Sequence, residues 1–327
     1  MAATIKDIAK LAGVPISAVS YALNDSGPVS EERRKKILSI AEELEYVPSG
    51  IAKSMKMQKK GFVGYFSYSL AGPVFSMVLQ GIEDSFRARE LELVACSVTP
   101  EKMSITRLLT EKMVDGAIIF AEYLDDALIH KLAAADFPIV LLDRDIHEEH
   151  ISCILIDNIN SAFQVGKLMK EKGLERVAYI DGSGFDGEQR REGFLKAVDK
   201  FRLKLCTDWV FDGLWLEGPS YEKTLNLLKT GSKPPQAVFA FNDEMAMGCM
   251  RALTEMGYRV PEDTAVIGMD DIAVGAYTTP KLTTIKRPMY ELGTQAVDIL
   301  CKMMSGEKGS KTVLPTELIY RETFLPV

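Results

Sequence analysis

Residues 4–24 read Thr-Ile-Lys-Asp-Ile-Ala-Lys-Leu-Ala-Gly-Val-Pro-Ile-Ser-Ala-Val-Ser-Tyr-Ala-Leu-Asn, and their spacing predicts two short helices joined by a turn. Thr4 stands three residues before Asp7, which is the pattern of an N-cap followed by an acidic first turn. Gly13 ends the first helix, and a second apolar series starts at Ile16. Two helices joined by a Gly-containing turn are typical of a helix-turn-helix, whose second helix fits the major groove of B-DNA. Any three-helix domain shows similar spacing, so a purely structural role stays open at this point.

The charge of this end of the chain differs from that of the remainder. A third helix is predicted to start at Ser30, with Glu31 and Glu32 in its first turn, and to end before Pro48. The chain of 327 residues has a net charge of -7, yet residues 1–60 contain 10 Lys and Arg against 7 Asp and Glu, a net of +3. A basic segment on an acidic chain favours a polyanionic partner for that segment alone.

Four short sequence motifs in this segment indicate a family more specifically than the helical periodicity does. They are Thr4–Val14, Ala18–Ser20, Leu23-Asn24 and Leu44–Pro48. Together they resemble the headpiece of the lactose-repressor (LacI/GalR-type) family of bacterial transcriptional regulators. The resemblance implies a helix-turn-helix DNA-binding headpiece over residues 1–47. It also implies DNA contacts from Thr4 at the start of the first helix, from Ile16, Ser17 and Tyr21 in the major groove, and from Ser20 and Asn24 near the backbone.

Residues 48–60 form a basic linker after the headpiece. Ser49 is a potential cap for a short helix, and an isolated helix of this length is marginal, so a flexible linker is the alternative. The segment also resembles the family's hinge helix, in which two hinges of a dimer pair in the minor groove and an apolar side chain wedges between base steps. The residues that would contact DNA from this hinge are Ser49, Ile51, Ala52, Met55 in the wedge position, and Lys56.

Apolar runs and amphipathic stretches alternate throughout residues 61–327. This alternation predicts an α/β fold with parallel sheets covered by helices, and the number of units indicates two lobes. Strands are predicted at 62–67, 91–97, 117–121, 138–143, 151–157, 176–181, 209–212, 237–241 and 264–269. Helices are predicted at about 73–89, 101–113, 123–135, 159–172, 188–201, 219–230, 243–257 and 289–304.

Ligands of such sheets bind at the carboxyl ends of the strands, and several polar residues stand there. They are Asp143, Asp157-Asn158, Asn242-Asp243 and Asp270-Asp271 after predicted strands, and Arg190 in the helix after the Gly182–Gly187 loop. With an aromatic such as Trp215, this set suits a polyhydroxylated ligand, because each hydroxyl both donates and accepts hydrogen bonds. Each residue also has a structural interpretation. Asp157 and Asp243 suit helix capping, Trp215 suits packing, and an acid-base dyad at Asp270-Asp271 is the less favoured alternative.

Two other patterns suggest different chemistry. Gly182, Gly184 and Gly187 follow a predicted strand with the spacing of a dinucleotide fingerprint. Asp181 and Asp186 place negative charge where phosphates would lie, which argues against that interpretation. The two histidines of the His147–His150 segment lack the HExxH spacing, so a solvated loop is preferred to a metal site. We therefore expect neither a metal nor a cofactor.

Sequence motifs within residues 61–327 also resemble the family's effector-binding core, which is similar to periplasmic sugar-binding proteins. They are Gly81–Glu83, Val114–Ala117, Arg190–Phe194, Phe241–Gly248, Val266–Asp271 and Pro280–Ile285. The resemblance implies an N-lobe of about 61–157 and 288–315, and a C-lobe of about 158–287 and 316–327. The effector-binding residues that it implies are Phe75, Asp143, Arg190, Trp215, Asn242 and Asp270.

Together these observations predict a homodimeric, ligand-controlled transcriptional regulator and not an enzyme. It would repress genes of sugar metabolism or transport by binding double-stranded, near-palindromic operator DNA, with a sugar or sugar derivative as effector. The N-terminus has no apolar signal segment and no run long enough to span a bilayer, so we expect a cytoplasmic, nucleoid-associated protein without a membrane partner. The alternatives are the same fold responding to a non-sugar or nucleotide ligand, a sugar-binding transport protein, or a nucleotide-dependent enzyme.

Overall fold

The structure is a computed structural model that describes residues 3–46, 61–87, 89, 91–98, 105–122 and 124–325. The chain divides into two compact units, residues 1–60 and 61–327. The hinge contacts expected from Ser49, Ile51, Ala52, Met55 and Lys56 lie outside the described residues. Among the described residues, no helix is long and apolar enough to cross a membrane.

Residues 3–46 of the first unit form three helices, as the sequence predicts. They are α1 (Ile5–Ala12), α2 (Ile16–Leu23) and α3 (Glu31–Glu43). Ile8, Val19 and Ile37, one from each helix, have no exposed surface and form the centre of a small apolar core. Thr4 is the N-cap of α1, and the Asp7 carboxylate accepts hydrogen bonds from its backbone N–H (2.9 Å) and its hydroxyl (2.6 Å). The headpiece therefore has its own core.

The first sheet of the larger unit has six strands. Its strands are β1 (Phe62–Ser67), β2 (Glu92–Ser97), β3 (Gly116–Phe120), β4 (Ile139–Leu142), β5 (Ile151–Ile156) and β12 (Lys311–Leu314), and its helices are α4 (Pro73–Phe86), α5 (Ile105–Thr110), α6 (Asp126–Ala133) and α11 (Met289–Met304). The order is β12-β5-β4-β3-β1-β2, and every pairing is parallel. α4 and α11 pack closely, and this packing requires a glycine at position 81. A Cβ at Gly81 would lie 2.2 Å from the Tyr290 carbonyl oxygen.

The second sheet has seven strands. Its strands are β6 (Arg176–Asp181), β7 (Lys204–Leu205), β8 (Phe211–Asp212), β9 (Ala237–Ala240), β10 (Ala265–Asp270), β11 (Thr283–Lys286) and β13 (Glu317–Ile319), and its helices are α7 (Asn158–Glu171), α8 (Gly184–Phe201), α9 (Glu217–Lys229) and α10 (Asp243–Glu255). The order is β13-β11-β10-β9-β6-β7, with β8 also paired to β6. Only β13 is antiparallel to its neighbour among these described strands.

The predicted α/β class with two sheets is confirmed, and the elements differ from prediction in a few places. Residues 207–209 form a 3₁₀ turn, so the strand predicted at 209–212 is reduced to two residues. α8 begins at Gly184 and not at 188, because the glycine-rich segment is its first turn. The short strands β7, β11, β12 and β13 were not predicted. The chain passes between the two sheets after Ile156, after Lys286 and after Leu314.

Candidate functional site

A cavity of about 660 Å³ lies where the carboxyl ends of the strands of both sheets meet. The structure brings to its lining all six residues that the resemblance implied: Phe75, Asp143, Arg190, Trp215, Asn242 and Asp270. Asp143 follows β4, Asn242 follows β9, and Asp270 is the last residue of β10. The carboxyl-end rule thus located the cavity correctly, while the binding of an effector there stays a prediction.

An ion-pair network centred on Arg287 forms the floor of the cavity. Its Nη2 donates to Asp143 (2.5 Å) and to Asp186 (3.0 Å), and its Nη1 donates to Asp270 (3.3 Å). The Arg287 side chain is only 4% exposed. Asp143 and Asp270 have positive φ angles of 50° and 124°, which are uncommon for residues other than glycine and indicate local backbone strain. The surrounding structure holds these two carboxylates in place against that strain.

Arg190 links several elements through its buried guanidinium. Its Nε donates to the Asn158 side chain (2.9 Å), its Nη2 donates to Asp186 (2.9 Å), and its Nη1 donates to the Phe241 carbonyl. The residue is 1% exposed. Every guanidinium nitrogen of Arg190 therefore has a partner within the protein, and the side chain connects α8 to α7 and to the end of β9.

Aromatic side chains from both lobes form the walls. Tyr68, Phe75 and Phe120 cluster on the side of the first sheet, with ring centroids 4.8 to 5.7 Å apart. Trp215 lies on the side of the second sheet, and its Nε1 donates to the Ser183 carbonyl (3.0 Å). The centroid of its ring lies 5.3 Å from the guanidinium carbon of Arg190. The cavity thus has aromatic walls and a charged floor.

The packing of Trp215 explains the glycines that resemble a dinucleotide fingerprint. A Cβ at Gly182 would lie 2.2 Å from the Trp215 ring, and one at Gly187 would lie 1.7 Å from the Gly182 carbonyl oxygen. Asp186, within the same segment, ion-pairs with Arg190 and Arg287. Gly182 and Gly187 are therefore required by helix-to-loop packing, whereas Gly184 has a φ of 87°, which favours glycine.

The Asn242-Asp243 pair has roles that differ from the sequence interpretation. Asn242, and not Asp243, is the N-cap of α10: its Oδ1 accepts from the Met245 N–H (2.8 Å), and its Nδ2 donates to the Trp215 carbonyl (2.9 Å). The buried Asp243 carboxylate instead accepts from the Ile272 N–H (2.9 Å) and from the Thr284 hydroxyl. The capping prediction was wrong for Asp243. It is confirmed for Asp157, which accepts from the Asn160 N–H (3.2 Å).

Adjacent carboxylates at the end of β10 have different partners. Asp270 pairs with Arg287 on the cavity floor, whereas Asp271 pairs with Arg321 at 2.5 Å. Because the two side chains face different cations, the acid-base dyad considered above has no structural support.

Sequence reasoning missed several cavity residues, among them Arg287, Asp186, Tyr68, Glu122, Arg144 and Glu244. Arg287 directly follows β11, so the carboxyl-end rule would have found it had that strand been recognised. The Glu122 carboxylate accepts from the Phe185 N–H (2.8 Å) at the first turn of α8 and so joins the two lobes across the cavity. A contact between segments so distant in the chain has no signal in the local sequence.

Burial shifts the ionisation of the cavity groups. Burial and the charge of Asp186 raise the pKa of Asp143 to about 7, although Arg287 and Arg190 oppose the shift. Burial also raises the pKa of Asp270 and of Tyr68. Burial alone would lower the pKa of Arg287, but the three facing carboxylates raise it above its usual value. The cavity floor therefore favours a charged guanidinium and at least one carboxyl that readily takes up a proton.

The free energy of unfolding is expected to fall as the pH rises towards the pKa of Asp243. Burial and Asp270 raise the pKa of Asp243 from 3.8 to about 7, against the hydrogen bonds from Thr284 and Ile272. Between these values the folded chain binds a proton that the unfolded chain has lost, so unfolding becomes easier as pH rises, by at most about 1.4 kcal/mol per pH unit. Urea midpoints from about pH 5 to 8 should show this decline, and D243N should reduce it. The pKa of Asp263 lies at about 2, so D263N should leave the slope unchanged. An unaltered slope in D243N would contradict the assignment.

The predicted DNA-reading face is on the headpiece surface. Ile16 and Tyr21 are 46% and 42% exposed, and Ser17 is exposed on the same helix. Ser20 is half-buried, and its carbonyl accepts from the exposed Asn24 side chain (2.8 Å). Large apolar side chains at the surface of so small a unit are available for contact with a partner.

Comparison with known proteins decides the family. The model described as bacterial regulatory proteins, lacI family, matches residues 4–49, and that of a periplasmic binding protein-like domain matches residues 167–324. The probable HTH-type transcriptional repressor ExuR of Bacillus subtilis (strain 168) is 33% identical over 334 residues, with 98% of each chain covered. The chain belongs to the LacI family. LacI-family membership agrees with both the basic headpiece and the two-sheet body.

Other LacI-family proteins match over the same length. The HTH-type transcriptional repressor PurR of Mannheimia succiniciproducens is 30% identical over 329 residues, covering 98% of both chains. The structure of the lac repressor dimer bound to operator and the anti-inducer ONPF matches with a TM-score of 0.74 and 28% identity, covering 99% of this chain and 100% of that chain. This LacI-family chain is a ligand-responsive DNA-binding repressor, and not an enzyme.

Proposed function

We propose that this LacI-family repressor binds a near-palindromic operator as a homodimer and that a sugar or sugar derivative in the cavity controls its hold on DNA. In this proposal it acts in the cytoplasm, on genes of sugar metabolism or transport. The headpiece of residues 1–47 reads the major groove through α2, and the hinge of residues 48–60 adds minor-groove contacts.

The observation that supports a sugar best is the composition of the cavity. Its floor presents carboxylate oxygens, which accept hydrogen bonds from hydroxyl groups, and its walls contain aromatic side chains such as Trp215 and Phe75. A sugar ring has hydroxyls at its edge and C–H groups on its faces, so it satisfies both kinds of surface. A cavity of about 660 Å³ is in the range of small-molecule sites.

The two lobes provide a route from effector to DNA. The cavity is bounded by both sheets, and Glu122 and Arg287 contact residues across it. An effector that binds one arrangement of the lobes more tightly shifts the population towards it. Coupling of this kind is typically about 1–3 kcal/mol and is reciprocal, so DNA must change effector affinity by the same factor.

The test begins with operator fragments selected from random DNA by the purified protein. Fluorescence anisotropy then measures operator affinity with and without a panel of sugars. We expect the selected fragments to share two inverted half-sites and one sugar class to change the dissociation constant about 5- to 150-fold. Fragments without inverted symmetry, or indifference to every sugar, would contradict the proposal.

A flat heteroaromatic effector such as a purine is the second candidate. The aromatic walls favour it, because Tyr68, Phe75 and Trp215 could stack on a planar ring. A relative that matches over nearly its full length is a PurR repressor. Including free bases and nucleosides in the same anisotropy panel separates the two candidates.

A further inference from the structure

Carboxylates outnumber guanidinium groups around the cavity. The lining includes the five carboxylates of Glu122, Asp143, Asp186, Glu244 and Asp270, and the three guanidinium groups of Arg144, Arg190 and Arg287. With all of these groups ionised the lining has an excess of two negative charges, and protonation of Asp143, whose pKa is about 7, reduces the excess to one. Such an excess in a partly desolvated site acts on a ligand more strongly than it would in water.

The cationic groups are also engaged already. Each nitrogen of the Arg190 guanidinium donates to a protein acceptor, and the two terminal nitrogens of Arg287 donate to three carboxylates. Arg144 donates to the Asp126 carboxylate and to the Ala121 carbonyl (3.3 Å). The remaining nitrogen of Arg287, Nε, is buried and has no hydrogen-bond partner in the described part of the protein. An anionic ligand that approaches the terminal nitrogens of these cations would therefore compete with carboxylates and carbonyls already bound to them.

One carboxylate of the lining has no protein partner in the described part of the chain. Glu122 accepts from the Phe185 N–H, whereas Glu244 has no hydrogen-bond or ion-pair partner among residues 61–87, 89, 91–98, 105–122 and 124–325. Glu244 lies in the first turn of α10 and is half-buried at the cavity lining. Its oxygens can accept from a hydroxyl or an ammonium group, and they repel a second carboxylate or a phosphate.

We propose that this cavity selects effectors by charge, taking uncharged or aminated polyols and rejecting carboxylated and phosphorylated sugars of the same ring, with Glu244 as a residue that sets this selectivity. The inference rests on the proposed sugar response and narrows it. Rejection arises because an added anion meets desolvated carboxylates that it cannot pair with, which is a repulsive contribution to specificity. Acceptance arises because hydroxyl and ammonium groups donate to the same oxygens.

The test compares matched ligands on the full-length protein by titration calorimetry. Each hexose of a panel is measured beside its hexosamine, its hexuronate and its 6-phosphate. For each hexose that binds, we expect the hexosamine to bind at least comparably and the two anionic forms to bind more weakly by a factor on the order of ten or more.

Two variants separate the role of Glu244 from a general charge effect. E244Q preserves the shape of the side chain while removing one negative charge from the cavity. It should reduce, several-fold, the ratio of the dissociation constants of the anionic sugars to that of the parent hexose. E255Q removes the same charge from the same helix outside the cavity lining, where Glu255 accepts from the Tyr221 hydroxyl, and should leave the ratio unchanged.

The outcomes distinguish this inference from the proposed function. A hexuronate or hexose phosphate that binds as tightly as its parent, and shifts operator affinity, overturns charge selection while retaining a sugar-responsive repressor. An unchanged ratio in E244Q overturns the assignment of Glu244. A panel in which no sugar of any charge binds overturns both proposals.

Discussion

Removal of residues 1–60 is expected to abolish operator binding while effector binding in the remaining chain is retained. The cut falls between the two compact units, and the two sheets and the cavity lie entirely within residues 61–327. The lost segment contains the helix-turn-helix and has a net charge of +3, from 10 Lys and Arg against 7 Asp and Glu. Phosphate contacts from such a segment supply most of the non-specific affinity for DNA. Anisotropy with labelled operator and calorimetry with the effector measure the two activities separately.

A point variant tests the same headpiece with less disturbance. I16E places a carboxylate on the exposed face of α2 that is predicted to enter the major groove. We expect operator affinity to fall about 10- to 100-fold, because an apolar base contact is replaced by repulsion from the DNA. The matched control is L38E on α3, since Leu38 is 44% exposed and Ile16 is 46% exposed. Equal losses in both variants, or DNA binding by residues 61–327 alone, would refute the assignment of the DNA-reading face.

Much of the fold could be predicted because its strands are continuous apolar runs. The buried strands β1 and β6 have the predicted ends, at 62–67 and 176–181, since apolar residues are bounded there by glycine and charge. β11 (Thr-Thr-Ile-Lys) and β12 (Lys-Thr-Val-Leu) are not continuous apolar runs, and they form strands by pairing with β10 and β5. A pattern read along the chain cannot contain that information, because the partner strand supplies the hydrogen bonds.

The site shows the same division between local and distant information. Asp143 and Asp270 could be predicted, because each ends a recognisable strand in a parallel sheet. The position of Arg287 among three carboxylates could not, since these come from segments up to 144 residues away along the chain. The structural role of Asn242 was also hidden, because its side chain caps α10 and donates to the Trp215 carbonyl through contacts that form only in the folded chain.

Replacement of Arg287 by methionine is expected to destabilise the protein more than any other single change considered above. Arg287 is the common partner of Asp143, Asp186 and Asp270, and its side chain is 4% exposed. Methionine fills a similar volume without charge, so the three carboxylates would face one another in a desolvated site. Removing one partner of a buried ion pair typically costs about 3–5 kcal/mol. Urea denaturation followed by far-UV circular dichroism measures the loss.

A control and a second substitution distinguish lost charge compensation from simple misfolding. R259M also removes a guanidinium from an ion pair, that with Asp263 at 3.0 Å, but the Arg259 side chain is 70% exposed, so water replaces the partner and the urea midpoint should hardly move. D143N in the R287M background removes one of the unpaired carboxylates. The double variant should be more stable than R287M alone. If the two substitutions acted independently, their losses of free energy of unfolding would instead add.

The same argument predicts how R287M responds to pH. Without the guanidinium, the pKa values of the facing carboxyls should rise further, because a neighbouring cation that favoured their ionised forms is gone. Protonation relieves the repulsion in the folded state. The difference in the free energy of unfolding between the parent protein and R287M should therefore shrink as pH falls from about 8 to 5. A deficit that is constant across this range would mean that Arg287 stabilises the fold by packing alone, and the charged floor would then have no part in holding the two lobes together.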